Sequence, residues 1–167
     1  MGQRLADCYE KTGNLQMAKN TYTNLIRLGK IPADVYYRYA ILCMKTDDKD
    51  KAETIFKKVI QLDPKNPYAH KDLGVVYLSQ RLFDYAKEEF ETAYKMAPED
   101  SAVVFEMANF YHAMNDFQKA KELYEKAFKL APEVMDIAVF RAINYLRLNE
   151  IDTALELFLD AMKKYPS

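Results

Sequence analysis

The sequence predicts an all-α protein in which antiparallel helix pairs stack into a solenoid, because three columns of residues recur every 34 positions. The residues of the first column are alanines, those of the second are aromatic and lie four positions further on, and those of the third are prolines. The alanines are Ala18, Ala52, Ala86, Ala120 and Ala154; the aromatic residues are Tyr22, Phe56, Phe90, Tyr124 and Phe158; the prolines are Pro64, Pro98, Pro132 and Pro166, with the first displaced to Pro32. A period of this length is typical of stacked helical repeats. We therefore expect a surface that binds other molecules rather than a pocket for chemistry.

Each repeat unit is predicted to hold two helices joined by a short turn. In the unit from Pro67 to Asp100, apolar residues recur at helical spacing on both sides of a break between Ser79 and Phe83. The corresponding breaks elsewhere carry residues that favour turns or cap a following helix, namely Gly13-Asn14, Asp47-Asp48 and Asn115-Asp116. The second helix should end near its proline, because a proline inside a helix costs about 3 kcal/mol.

This frame makes the chain a single array of units. They are a truncated unit at 1–32 and further units at 33–66, 67–100, 101–134 and 135–167. The first unit begins partway through its first helix, and the last is not followed by the polar helix that normally seals such a stack. We expect the chain to be a fragment of a longer array.

Two further columns identify the predicted core. Small residues lie where paired helices must approach closely, at Ala6, Ala40, Gly74, Ala108 and Ala142, and larger residues fill the space between helices, at Tyr9, Cys43, Tyr77, Tyr111 and Tyr145. Because these residues obey the period, we interpret them as core packing rather than as a cofactor site. We also expect Cys8 and Cys43 to be buried free thiols.

Composition and motifs exclude several classes of function. The net charge is −1, without the basic surplus typical of proteins that bind nucleic acid or anionic membranes. No stretch is long and apolar enough to span a bilayer. His70 and His112 lie at different phases of neighbouring repeats, and the sequence has no HExxH or CxxC motif, phosphate-binding glycine loop or serine elbow. We expect no catalytic residues, metal site or cofactor. The expected compartment is the cytoplasm, with a periplasmic or membrane-tethered parent protein as the alternative.

The sequence resembles the tetratricopeptide repeat family. The unit from Pro67 to Asp100 carries the family's pattern at Leu73, Gly74, Tyr77, Ala86, Phe90, Ala93 and Pro98. The tryptophan that the family places in the first helix is absent, and Tyr36, His70, Val104 and Ala138 lie at that phase. The resemblance implies a right-handed superhelix whose first helices line a concave groove that binds peptides or partner proteins.

The groove-facing positions of the first helices are unusually apolar. They are Asp34, Tyr37, Ile41 and Met44; Tyr68, Lys71, Val75 and Leu78; Ala102, Phe105, Asn109 and His112; and Asp136, Val139, Ile143 and Leu146. Such a lining suits an apolar or amphipathic protein segment, since burial of one large apolar side chain gains about 1.5–3 kcal/mol. The alternative is that these side chains only pack against one another.

One subgroup of the family binds acidic C-terminal tails of chaperones through lysine, asparagine and arginine side chains from three consecutive first helices. Starting from Lys71, the corresponding phases carry Val75, Glu106, Asp136 and Phe140. An incoming carboxylate would meet acidic and apolar side chains there. We therefore do not expect a receptor of this type.

The last unit differs from the others. Phe140, Leu155 and Leu159 lie at phases that are charged or polar in every other unit, which predicts an apolar interface at this end of the array. The next repeat of the parent protein would cover this interface most economically. Self-association is the alternative.

The sequence therefore predicts a noncatalytic scaffold or adaptor that binds a partner segment in its groove and helps to assemble a complex. Two alternatives are an auxiliary segment that presents substrates within a larger enzyme, and a self-association module in a multiprotein assembly.

Overall fold

The structure is a computed structural model that describes residues 2–29 and 31–165. Within these residues it contains ten α-helices and no β-strand. The helices are α1 (Gly2–Lys11), α2 (Leu15–Leu28), α3 (Ala33–Lys45), α4 (Lys49–Leu62), α5 (Pro67–Ser79), α6 (Phe83–Met96), α7 (Ser101–Ala113), α8 (Phe117–Leu130), α9 (Met135–Arg147) and α10 (Ile151–Lys164). The predicted all-α fold of paired helices is confirmed.

The chain forms two compact units. Unit 1 is Met1–Ala86 and unit 2 is Lys87–Ser167, so that the boundary falls inside α6. The first helices α3, α5, α7 and α9 begin at Ala33, Pro67, Ser101 and Met135, where the sequence frame begins its units. That these units form one array stays a prediction.

Unit 1 contains the helix pairs α1–α2 and α3–α4, followed by α5. The side chain of Asn14 accepts a hydrogen bond from an N–H group in the first turn of α2, and Asn66 accepts two at the start of α5. Pro67 is the first residue of α5, where no partner for an N–H group is needed. The displaced Pro32 precedes α3 without a side-chain cap. This proline therefore begins a helix instead of following the end of one.

The core of unit 1 includes tyrosines whose hydroxyl groups are satisfied. The rings of Tyr22 and Tyr39 stack with their centroids 5.5 Å apart, and both residues are buried. Tyr22 donates a hydrogen bond to Glu10 at 2.9 Å, and the Tyr39 hydroxyl shares one with Thr23 at 2.9 Å. These bonds let aromatic residues fill the core without leaving a polar group unpaired.

Unit 2 contains the pairs α7–α8 and α9–α10 together with the rest of α6. Asp100 and Asp116 cap α7 and α8 by accepting hydrogen bonds from N–H groups in the first turn of each helix. Two buried clusters hold the pairs together, one of Ala108, Ala120 and Tyr124 and the other of Val104, Ala127, Ala131 and Ile137. The small residues of these clusters allow the helices to approach closely.

The same main-chain turn follows every first helix. The turn contains one residue with a positive φ, which is Gly13, Asp47, Arg81, Asn115 or Asn149. The N–H group of the following residue donates to the carbonyl five residues earlier, as from Asp48 to Cys43 at 2.9 Å. This Schellman pattern satisfies carbonyl groups at the helix end without any side chain.

The alanine column and the small-residue column are buried throughout, as predicted. In the aromatic column, Phe158 of the last helix is only half-buried, whereas the other four members are buried. Helices α4, α6 and α8 end two residues before Pro64, Pro98 and Pro132. Pro166 lies outside the described residues.

The prediction of two buried thiols is wrong for Cys8. Both cysteines are free, but Cys8 is exposed and Cys43 is buried. Cys8 precedes Cys43 by 35 residues, one more than the period, so that Tyr9 and not Cys8 lies in the core column. Burial raises the pKa of the Cys43 thiol from its ordinary value of 9.0 to about 11.

Candidate functional site

The predicted groove residues of unit 1 line one side of α3 and α5. Most are half-buried, while Asp34 and Tyr68 are exposed. The ring of Tyr37 contacts Phe56 edge-on at 5.9 Å, which ties this side of α3 to the core. The side chains of this face therefore pack against the core on one side and are open to solvent on the other.

A buried carboxylate organises this face. Asp72 is 6% exposed; its Oδ2 accepts a hydrogen bond from the Tyr37 hydroxyl at 2.6 Å and its Oδ1 pairs with Lys71 at 2.5 Å. Burial and the Asp72 carboxylate raise the pKa of Tyr37, so the hydroxyl remains a donor at neutral pH. The Lys71 ammonium is committed to Asp72.

Between α1 and α3, two predicted groove residues open onto a cavity. It has a volume of about 560 Å³ and is lined by Tyr37 and Ile41 together with Asp7, Glu10, Lys11, Arg38 and Lys45. We call it the α1–α3 cavity. Arg38 pairs with Asp7 at 3.0 Å, and Lys45 lies 3.9 Å from Glu10. The cavity thus has an apolar wall and a rim that carries charges of both signs.

The corresponding face of unit 2 is aromatic. The ring of Phe105 contacts Phe140 edge-on at 5.6 Å and lies 5.9 Å from Tyr124. Asn109 accepts a hydrogen bond from the Tyr124 hydroxyl at 2.7 Å and donates one to Glu106 at 3.1 Å. Phe140, which the sequence assigns to the C-terminal interface, is therefore brought together with the groove residue Phe105.

His112 of this face is held by a buried amide. Asn144 is fully buried; its Nδ2 donates to the Phe117 carbonyl and its Oδ1 lies 2.9 Å from His112 Nδ1. Because the amide nitrogen is engaged by a carbonyl, the amide oxygen faces His112 and Nδ1 is the donor. The other predicted residues of α9, Val139, Ile143 and Leu146, are half-buried or exposed.

Sequence reasoning missed both polar centres. The phase of Asp72 also carries Arg38 and Glu106, so its charge suggests a solvated position. Asn144 left a clearer signal, because the same phase is apolar in the preceding units, at Leu42, Val76 and Phe110. A polar residue in an apolar column predicts a buried hydrogen-bonding partner.

Four apolar residues form an exposed stripe on α10. Leu155 and Leu159 are 58% and 47% exposed, and Ile151 and Met162 continue the stripe at 58% and 71%. The spacing of four, four and three residues places all of them on one face of the helix. We call this surface the α10 stripe, and the sequence predicted its two central residues.

The phases of Leu155 and Leu159, the two central residues of the α10 stripe, are polar where a further helix follows. In α8, Lys121 pairs at 2.8 Å with Glu150, which lies in the turn after α9. Glu125 of the same helix accepts a hydrogen bond at 3.0 Å from Tyr145 of α9. The same two phases in α10 are Leu155 and Leu159. Any element that covers α10 must therefore be more apolar than α9.

The described residues contain no group of three or more histidine, cysteine or acidic side chains that could hold a metal ion. Over the same residues, no helix is long and apolar enough to cross a membrane. His70 lies on α5 and His112 on α7.

Comparison with known families decides the classification. The model for the middle tetratricopeptide-repeat-like domain of cilia and flagella-associated protein 70 matches residues 3–131, and a model for the tetratricopeptide repeat matches residues 105–167. The chain belongs to the tetratricopeptide repeat family. The tetratricopeptide repeat is in general a noncatalytic protein-interaction fold, and this chain is a scaffold for protein–protein interaction in that general sense. A search of curated proteins finds no match.

Solved tetratricopeptide repeat structures share the fold. MamA from Desulfovibrio magneticus, from residue 41 to its end, is 23% identical with a TM-score of 0.82, covering 98% of this chain and 92% of that one. A tetratricopeptide repeat protein from Parabacteroides merdae is 14% identical with a TM-score of 0.87, covering 99% and 65%. PilF of Pseudomonas aeruginosa is 19% identical with a TM-score of 0.84, covering 99% and 76%. These similarities establish the fold alone.

Proposed function

We propose that this tetratricopeptide repeat protein is a noncatalytic adaptor whose first-helix faces bind an apolar or amphipathic segment of a partner protein. The observation that carries the proposal is the α1–α3 cavity, where Tyr37 and Ile41 form an apolar wall beneath a charged rim. A volume of about 560 Å³ is within the range of binding pockets, and it accommodates a large apolar side chain. The rim of Arg38, Lys45 and Glu10 would set the register of the flanking polar residues.

The aromatic surface of unit 2 supports the same proposal. Phe105 is half-buried and Phe140 is exposed, so this pair offers ring surface to a partner as well as to each other. Aromatic residues are enriched at protein interfaces because they bury a large area with few rotatable bonds. The substrate-presenting alternative would use the same faces, and it stays a prediction.

A selected peptide tests the α1–α3 cavity. Random peptides displayed on phage would be selected against the protein, and the affinity of a selected peptide would be measured by fluorescence anisotropy. We expect Ile41→Ala to weaken binding about tenfold, because it removes apolar contact area. The control is Lys65→Ala, at an exposed position between α4 and α5. If Ile41→Ala and Arg38→Ala both bind the peptide as the wild type does, the cavity is not the site.

We also propose that the α10 stripe is a protein interface. Its occupant is either a further repeat or a second copy of the chain, as the sequence predicts. Size-exclusion chromatography with light scattering distinguishes the two. A monomer at high concentration contradicts self-association, whereas a dimer that Leu155→Glu converts to monomer supports it.

A further inference from the structure

A second cleft lies between α2, α3 and α4 of unit 1, away from the predicted groove residues. Its volume is about 600 Å³. Ile26, Tyr36, Tyr39 and Ile55 supply its apolar surface, and Thr54, Lys58 and Gln61 of α4 lie exposed at its rim. We call it the α2–α4 cleft. None of the residues assigned to the groove or to the C-terminal interface lines it.

Unit 2 contains a cleft at the same phases of the repeat, but it is nearly closed. Its volume is about 130 Å³, and Phe128, Ala138, Arg141 and Leu157 take the places of Ile26, Tyr36, Tyr39 and Ile55. This is about a fifth of the volume of the α2–α4 cleft. An open cleft at these phases is therefore not a general property of the fold.

Specific side chains close the cleft of unit 2. The guanidinium of Arg141 stacks on the ring of Phe128 at 4.1 Å and pairs with Glu125 at 3.2 Å. At the end of α10, Lys164 and Tyr165 line this cleft, and both donate to the carbonyl of Pro132, at 2.5 and 2.6 Å.

Unit 1 has none of these devices. Tyr39 takes the place of Arg141 and stacks on Tyr22 in the core, and Ile26 is shorter than Phe128. Leu62 and Asp63, at the phases of Lys164 and Tyr165, have no side-chain donor to reach across. The cleft is left open as a result.

The rim of the α2–α4 cleft is cationic. Arg27, Lys51, Lys57 and Lys58 line it, against the single carboxylate of Glu53. Glu53 is already paired with Lys57 at 2.7 Å. A hydrogen bond with Tyr39 raises the pKa of Lys51, whose Nζ lies 5.3 Å from the centre of that ring. The positive rim is local, because the whole chain carries a net charge of −1.

We propose that the α2–α4 cleft is a second protein-binding site, which takes an acidic segment carrying one large apolar side chain. The apolar side chain enters between Ile26, Tyr36 and Ile55. Carboxylates on either side of it pair with Arg27 and Lys58, both of which are exposed; Lys58 donates a hydrogen bond to Gln61 at 3.4 Å. The wide opening suits a side chain that projects from a peptide.

The test uses a short synthetic peptide in which benzoylphenylalanine is flanked by glutamates. Binding is measured by fluorescence anisotropy, and ultraviolet crosslinking with mass spectrometry locates the bound residue. We expect crosslinks to α2 and α4, and at least about a tenfold loss of affinity for the double variant Arg27→Glu, Lys58→Glu. The matched control is Lys129→Glu, Lys163→Glu. It changes the net charge by the same amount, and Lys129 lies at the phase of Arg27 in the unit whose cleft is closed.

The outcomes decide the proposal. Equal weakening by the control, or equal binding of a peptide with glutamines in place of the glutamates, reduces the interaction to nonspecific charge and overturns the site. Crosslinks to Tyr37 or Ile41 assign the peptide to the α1–α3 cavity and also overturn it. Thr54→Trp, at the exposed rim, should block the cleft without disturbing the core, and unchanged binding by this variant contradicts the proposal. Binding of oleate with no binding of the peptide shows a site for anionic amphiphiles instead.

Discussion

Tyr37 and Lys71 of unit 1 lie at the same phase of the repeat as Phe105 and Val139 of unit 2, but the two faces are stabilised by different chemistry. In unit 1 a buried carboxylate, Asp72 of α5, accepts a hydrogen bond from the Tyr37 hydroxyl of α3 and pairs with the neighbouring Lys71. In unit 2, ring contacts and a neutral amide do the same work. The period thus specifies which positions face the solvent side of the first helices. It does not specify how their polar groups are satisfied.

The largest effect is expected from the charged centre. Asp72→Ala leaves the Lys71 ammonium, whose side chain is 14% exposed, without its partner and removes the acceptor of Tyr37. We expect a loss of about 3 kcal/mol in the free energy of unfolding, measured by urea denaturation followed by circular dichroism. Asp63→Ala, at an exposed position, should change it by less than about 0.5 kcal/mol.

A double substitution sharpens this prediction. Lys71→Met with Asp72→Leu removes both charges, and it should recover most of the loss because well-packed apolar residues commonly replace a buried ion pair without penalty. A double variant as unstable as Asp72→Ala would show that the loss comes from packing or from the missing acceptor of Tyr37, and not from the uncompensated charge.

The neutral centre of unit 2 should be weaker. Asn144→Ala removes the side-chain donor to the Phe117 carbonyl and leaves His112 Nδ1 without its acceptor. We expect a loss of about 2 kcal/mol by the same urea titration. Asn20→Ala on the exposed side of α2 is the control. A loss as large as that of Asp72→Ala would contradict the ranking of charge above amide.

The ring contact of Phe105 with Phe140 is expected to contribute less again. A double-mutant cycle with alanine at both positions should give a coupling energy of about 0.5–1.5 kcal/mol. As a control, the changes in the free energy of unfolding caused by Phe105→Ala on α7 and Leu159→Ala on α10 should add within about 0.5 kcal/mol. Additivity of the Phe105 and Phe140 substitutions would show that these rings do not support each other.

The smallest effect on stability at neutral pH is expected from Cys43. Cys43 holds a position that is tyrosine in the other units, and its pKa is raised from 9.0 to about 11 by burial. The folded state therefore favours the neutral thiol; this contribution is complete below pH 9.0 and is lost as the pH rises towards about 11. Above pH 9.0 the wild type should lose stability faster than Cys43→Ala. Parallel pH profiles of the two proteins would contradict this.

Core residues such as Val35, Leu42 and Val103 lie outside the predicted columns, and Tyr9, Tyr111 and Tyr145 of those columns are only half-buried. The 34-residue period was nonetheless sufficient to predict the helix pairs and the buried columns of small residues. It did so because each buried column repeats a single packing problem, as at Ala18 and its successors. Cys8 is one position away from the column that Tyr9 and Cys43 share, and this shift of one residue places its side chain in solvent. Asp72 and the α2–α4 cleft could not be predicted, because they depend on which side chains meet across helices rather than on which positions recur.

The turns after the first helices have a consequence for how such a chain diverges. Their hydrogen bonds use main-chain atoms alone, and all five residues with positive φ are exposed. Glycine, aspartate, arginine and asparagine all occupy this position here, so the side chain itself contributes little to closing the turn. Proline, whose φ is fixed at a negative value, and β-branched residues would be strongly disfavoured there by the positive φ. These five points are therefore where a sequence can vary, accept an insertion or carry an attached label while the helix packing stays unchanged.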